Sequence, residues 1–173
     1  MGAESVSLMP EFHRTRALVV ATLPAAFLLL APRAFATGEL TRGEYVERVE
    51  PICKSETLAN RTELKGVEGM VRRGKLRQAA PHVLSAAAAL RGAIARISPV
   101  PRPPADAARL GRWLGFARAG HDLLQRLGVA LRKGDRASAQ LLARQLLRNT
   151  KRGNATVVTF DFDYCRVNPA RFV

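Results

Sequence analysis

The stretch "RLGRWLGFARAGHDLLQRLGVALRKGD" (Arg109–Asp135) decides the fold. Leu110, Leu114, Ala117, His121, Leu124 and Leu131 recur at spacings of three, four or seven, which places them on one face of an α-helix. A strand would need strict alternation. The stretch ends in a break: Gly134 suits a left-handed C-cap, and Asp135 suits the N-cap of a following helix.

The same period extends in both directions. Downstream, Leu142, Leu146, Asn149 and Gly153 share a face, flanked by Leu141 and Leu147, and the pattern fades between Arg152 and Phe160. Upstream, "SPVPRPP" (Ser98–Pro104) is a stiff connector that no helix crosses. Proline is tolerated at a first helical position, so the helix of the opening stretch starts near Pro104, with Asp106 complementing its dipole. Before the connector, Val83, Ala87, Leu90, Ile94 and Ile97 form another stripe, with Pro81 in or near its first turn. The first segment opens with Thr41 and Glu44, the capping-box pair. It continues through Val49, Cys53, Asn60, Leu64, Val67 and Val71 to the breaker "RRGK" (Arg72–Lys75), with Pro51 expected to kink it or split off its first turns. Four amphipathic segments joined by short breaks give an all-α fold, an antiparallel up-down-up-down four-helix bundle with an extended C-terminal tail.

Residues 1–36 read as a secretory signal peptide. His13, Arg14 and Arg16 precede the apolar run Ala17–Pro32, and Ala34, Phe35 and Ala36 supply an A-x-A cleavage pattern. The competing reading is a retained membrane anchor, but the run is short for a span, contains Pro24 and is closed by Arg33. Residues 37–173 are then one helical domain in an extracytoplasmic compartment, the cell envelope or medium. Two cysteines in such a chain predict one disulfide, Cys53 with Cys165, in preference to a catalytic thiol or a metal ligand. In the bundle topology the start of the first helix lies near the end of the fourth, which brings both cysteines to one end.

The tail "TFDFDYCRVNPARF" (Thr159–Phe172) alternates Phe160, Phe162 and Tyr164 with Asp161, Asp163 and Cys165. A strand has no partner here, so the aromatics are expected to cap one end of the bundle. "DFD" is read as partnering arginines and not as a metal site. His121 and His82 are read as core or boundary histidines, although two histidines in a bundle can also ligate haem. Asn60 and Asn149 are read as a buried polar pair or layer. Asn60 and Asn154 also stand in glycosylation sequons.

No G-x-S-x-G, H-E-x-x-H, phosphate-binding glycine loop or C-x-x-C-H is present, so no catalytic residue, metal or cofactor is assigned. Charge carries the remaining signal. The net charge is +14, and Gly69–Phe160 holds 18 basic residues against Asp106, Asp122 and Asp135, while seven acids crowd between Glu39 and Glu68. Such a field attracts polyanions. Arginine excess from a GC-rich genome, merely solvating helix faces, is the bland counterpart. Nucleic acid is a poor specific partner for an exported chain without interleaved aromatics. The reading that follows is a non-catalytic exported protein associating with anionic envelope polymer or lipid head groups. A subset of Arg91, Arg96, Arg109, Arg112, Arg118, Arg126, Arg144 and Arg148 would form its surface. The alternative is a small-ligand carrier or weak enzyme with a pocket near His121 and Trp113.

The elements "YVERVEPICKSE" (Tyr45–Glu56), "VPRPPADAARLGRWL" (Val100–Leu114) and "FDFDYCRVNPARF" (Phe160–Phe172), after an A-x-A signal, resemble a group of uncharacterised secreted proteins of high-GC Gram-positive bacteria. In that group a cysteine in the first helix and a P-P-x-D helix start recur in small helical domains. The resemblance implies fold and localisation and no particular activity.

Overall fold

The computed structural model describes residues 39–168; the expected signal segment lies outside them. The described residues are all-helical. Four long helices, α1 (Arg42–Leu64), α3 (Leu76–Ile97), α4 (Ala107–Lys133) and α5 (Arg136–Thr156), are joined by a short α2 (Val67–Arg72) and a 3-10 turn (Pro104–Asp106).

Local chemistry sets the boundaries. Thr41 and Glu44 form the expected capping box: the Glu44 N–H donates to Thr41 Oγ1 at 3.3 Å, and the Thr41 N–H donates to Glu44 Oε2 at 2.8 Å. Asp135 Oδ1 accepts from the Ser138 N–H at 3.0 Å to start α5, and Gly134 ends α4 at φ 77°.

Two expectations for the first segment need correction. Pro51 neither ends α1 nor splits off its first turns. The carbonyl that it leaves unbonded belongs to Glu47, on the exposed side of the helix, where water can serve it. The break comes later instead, at Lys65 and Gly66, where Gly66 takes a left-handed conformation (φ 79°) and separates α2 from α1. Pro81 also sits one turn deeper in α3 than expected, again on an exposed face.

Apolar packing forms two clusters. One gathers Tyr45, Val49, Ile97, Leu110, Trp113, Leu114, Val157, Phe160 and Phe162 around the disulfide; the other gathers Leu76, Ala79, Ala80, Val83, Ala130, Leu131, Ala139 and Leu142. α4 packs extensively against both α3 and α5, and α1 packs extensively against α3.

The tail bonds to both α1 and α5. Cys53 and Cys165 form a disulfide across a sequence separation of 112 residues. The Glu50 carboxylate accepts from three successive tail amides: Asp163 at 2.8 Å, Tyr164, and Cys165 at 3.4 Å. Asn154 grips the tail from α5, donating to the Val167 carbonyl at 2.8 Å and accepting from the Val167 N–H at 3.0 Å. Phe162 stacks between Trp113 (5.5 Å) and Phe160 (5.4 Å), so the aromatics cap one end of the helices, as expected.

Asp106 does more than face a helix dipole. It is buried and holds Arg42 by two bonds, Nε to Oδ2 at 2.8 Å and Nη2 to Oδ1 at 2.9 Å. Those bonds hold its carboxyl below the ordinary carboxylate range against the opposing effect of burial. Arg42 also lies 4.9 Å from the Phe160 ring centre, so one guanidinium joins the starts of α1 and α4 to the tail.

Reducing the disulfide, or replacing Cys165 by Ser together with Cys53 by Ser, should lower stability by about 5 kcal/mol, the loop-closure contribution for a loop of this length. Far-UV circular dichroism should stay helical, because the apolar stripes on α3, α4 and α5 do not need the tail. Trp113 emission should shift to the red as Phe162 lifts away, and an unchanged melting temperature would contradict this account.

Candidate functional site: an apolar cavity between α1 and α5

Between the two packed clusters lies a cavity of about 300 Å³. α1 contributes Cys53, Glu56, Asn60 and Leu64; α3 contributes a wall including Leu90 and Ile94; α4 contributes Trp113, Ala117, Gly120 and Leu124. Leu146, Asn149 and Asn154 line it from α5, and Tyr164 and Val167 close it from the tail. This volume lies at the lower bound of small-molecule pockets, which are mostly apolar with a few placed polar groups.

Thr150, Asn154 and Tyr164 add polar atoms to the lining, but Asn60, Glu56 and Asn149 carry its defining polar contacts. Asn60 is buried and donates through Nδ2 to Glu56 Oε1, leaving its own Oδ1 buried with no hydrogen-bond partner. Burial pushes the Glu56 carboxyl up to about 7, the hydrogen bond from Asn60 pulling in the other direction. On the opposite wall Asn149 Nδ2 donates to the Phe116 carbonyl at 2.8 Å. Gly120 eases this approach, since a Cβ there would stand a tight 3.3 Å from Asn149 Nδ2.

Asn60 and Asn149 therefore both face the cavity, as their stripes indicated, but each is bonded to its own neighbour and they do not form a pair. Trp113 lines the cavity as the carrier alternative required, whereas His121 does not. Its ring is about four-fifths buried with Nδ1 3.0 Å from Asp122 Oδ1, and its Nε2 is buried without a partner. His82 lies elsewhere, 3.7 Å from Glu63 Oε2. Among the described residues no three His, Cys, Asp or Glu side chains come together as a metal site. Glu56 was missed by sequence reading. Its one available signal was position: it stands three residues after Cys53 and four before Asn60, on the inward face.

Of the eight arginines singled out, seven are exposed; Arg109 is half-buried and donates to Thr159 Oγ1 at 2.8 Å. They do not share one face, since Arg118 stands about 180° around α4 from Arg109 at 100° per residue. The sequons fare poorly as glycan sites. Asn60 is inside the fold, and both ends of the Asn154 amide are taken by Val167. No family model, curated protein or solved structure matches the chain.

The buried carboxyl has a consequence for stability. An acid whose folded value lies above its ordinary 4.5 binds its proton more tightly when folded. Stability is therefore undiminished below pH 4.5, falls as pH rises from about 4.5 to 7, and stays low above. Glu56→Gln, neutral at every pH, should remove that decline and be more stable than the parent at pH 8, by roughly 1–3 kcal/mol. Urea melts at pH 4.5 and pH 8 measure it; a variant that tracks the parent at both would refute the assignment.

Proposed function

We propose that the protein is an exported, non-catalytic carrier that binds a small, mainly apolar molecule in the cavity between α1 and α5. The observation that carries this reading is the cavity itself, which persists between two well-packed clusters and presents a buried acceptor without a donor. Natural interiors rarely leave either feature unused. The disulfide supports an oxidising compartment, and no helix of the described residues is long and apolar enough to cross a membrane. We further propose the up-down-up-down arrangement of α1, α3, α4 and α5. One cluster gathers residues from the starts of α1 and α4 and from the end of α3, with Val157 just beyond α5; the other gathers the start of α3, the end of α4 and the start of α5.

The carrier reading predicts that 1-octanol raises the melting temperature and perturbs the emission of Trp113, the one tryptophan of the chain. Ala117→Phe, which places a ring in the cavity, should abolish both effects while far-UV circular dichroism stays helical. Undiminished response in that variant would mean that the alcohol binds elsewhere.

A second reading concerns the exterior and is favoured by the exposure of the arginines. Arg91, Arg96, Arg112, Arg126, Arg144 and Arg148 make no hydrogen bond or ion pair with the described residues. A subset of them, with Arg109 and Arg118 at the margins, would hold the protein on anionic envelope polymer or lipid head groups. Attraction of this kind fades over a Debye length of about 8 Å at physiological salt. Retention on phosphatidylglycerol vesicles should therefore fall steeply between low and high salt. Changing Arg144 and Arg148 to Gln should weaken it further, and salt-insensitive retention would leave the arginines as solvation only.

A further inference from the structure

We infer that the ligand of this cavity carries a protonated amine at one end of an apolar body, its ammonium held by Glu56 and Asn60. The inference rests on the carrier reading above and narrows it to a ligand class.

Charge is the first ground. The chain carries a net charge of +14, yet the lining holds no Lys, Arg, His or Asp, and Glu56 is its one charge-bearing side chain. A carboxylate or phosphate head group would enter without a counterion and beside an acid. A cation meets one. From α3, α4 and α5 no titratable group faces Glu56; the tail contributes only Tyr164, and Cys53 and Cys165 are locked in the disulfide.

Hydrogen-bond inventory is the second ground. The amide nitrogens around the cavity are each already engaged: Asn60 Nδ2 on Glu56, Asn149 Nδ2 on Phe116, and Asn154 Nδ2 on Val167. The one buried polar atom of the lining without a partner is an acceptor, Asn60 Oδ1, and the second oxygen of Glu56 lies one turn away on the same helix. An ammonium offers three N–H donors and no acceptor. It satisfies Asn60 Oδ1 and pairs with the Glu56 carboxylate in one placement. Leaving that acceptor orphaned costs about 1–3 kcal/mol, so a donor-bearing ligand gains by filling it.

Size is the third. A dry apolar cavity of about 150 Å³ holds a benzene, so about twice that volume takes a body of roughly a dozen non-hydrogen atoms. Burial of the chain supplies most of the affinity, and the ion pair chiefly supplies the choice of head group.

Binding of an ammonium requires Glu56 as carboxylate, so affinity should follow its ionisation. The test titrates the disulfide-bonded protein with n-octylamine, 1-octanol and octanoate at pH 6 and pH 8, read by Trp113 fluorescence and calorimetry. Octylamine should bind tightest at pH 8 and about tenfold more weakly at pH 6, as expected for a carboxyl near 7. Octanol should bind equally at both. Glu56→Gln should bring octylamine down to the octanol affinity and erase its pH dependence while leaving octanol binding intact. Asn60→Ser should weaken octylamine several-fold with the pH dependence retained. Octanol or octanoate binding as tightly as octylamine at pH 8, or an octylamine affinity that ignores pH, overturns the ammonium and leaves the carrier reading standing. Failure of all three to bind overturns both.

Discussion

The Glu50 carboxylate and the disulfide one turn further along α1 are the constraint on which the rest of the structure depends. α1 packs mainly on α3, and α1 and α5 both border the cavity. The tail closes it. Three consecutive backbone N–H groups point at one carboxylate, an arrangement that gives a short irregular segment charge-assisted bonds of the kind worth about 1.5–3 kcal/mol each. The Cys53–Cys165 link removes denatured-state freedom on top of this, and Asn154 fixes the far end. Arg42, bonded to buried Asp106 and laid over Phe160, ties the same tail to the beginning of α4. The tail is thus a strut as much as a clamp: it holds α1 at a set distance from α5.

That spacing explains why the cavity does not collapse. Leucine stripes on four helices would close around a shared seam if the helices were free to approach. Here the two ends are packed by separate clusters, and the tail bonds to both α1 and α5 beside the cavity that lies between them. The same middle section carries Glu56 and Asn60, whose burial opposes stability. An apolar pair of similar volume would pack more favourably there, so the polar pair is poorly explained by stability and better explained by a ligand.

Sequence pattern conveyed the helices because a period of 3.6 survives any packing arrangement, and it conveyed their caps because Thr41, Gly134 and Asp135 act locally. The cysteine pairing was legible from number and from the compartment that residues 1–36 led us to expect. The break at Gly66 was not, since Val67 and Val71 continue the α1 period past it and periodicity alone does not see a left-handed residue. Arg42 with Asp106 is a contact across 64 residues, and Glu50 with the tail spans more than 110; neither leaves a local signature. The cavity was legible only in part. Trp113 belongs to it and His121 does not, because a stripe fixes a face to within about one residue's rotation and the cavity occupies only part of that face.

Five of the seven acids that crowd between Glu39 and Glu68 have particular places. Glu44 completes a cap, Glu50 holds the tail, Glu56 faces the cavity, Glu63 lies near His82 and Glu68 pairs with Arg72. The arginines of α3, α4 and α5 contrast with them, most being solvated and unpaired within the described residues. Negative charge in this protein does local structural work and, in the proposed reading, binding work, while positive charge is spread outside. A cation approaching from solvent must therefore cross a repelling exterior to reach Glu56. A small amine with an apolar body can do so only because the chain's burial outweighs a surface repulsion that salt screens. The same exterior retards the cation's approach and favours an anion's, so discrimination against anions has to come from the lining, where no cation waits for them.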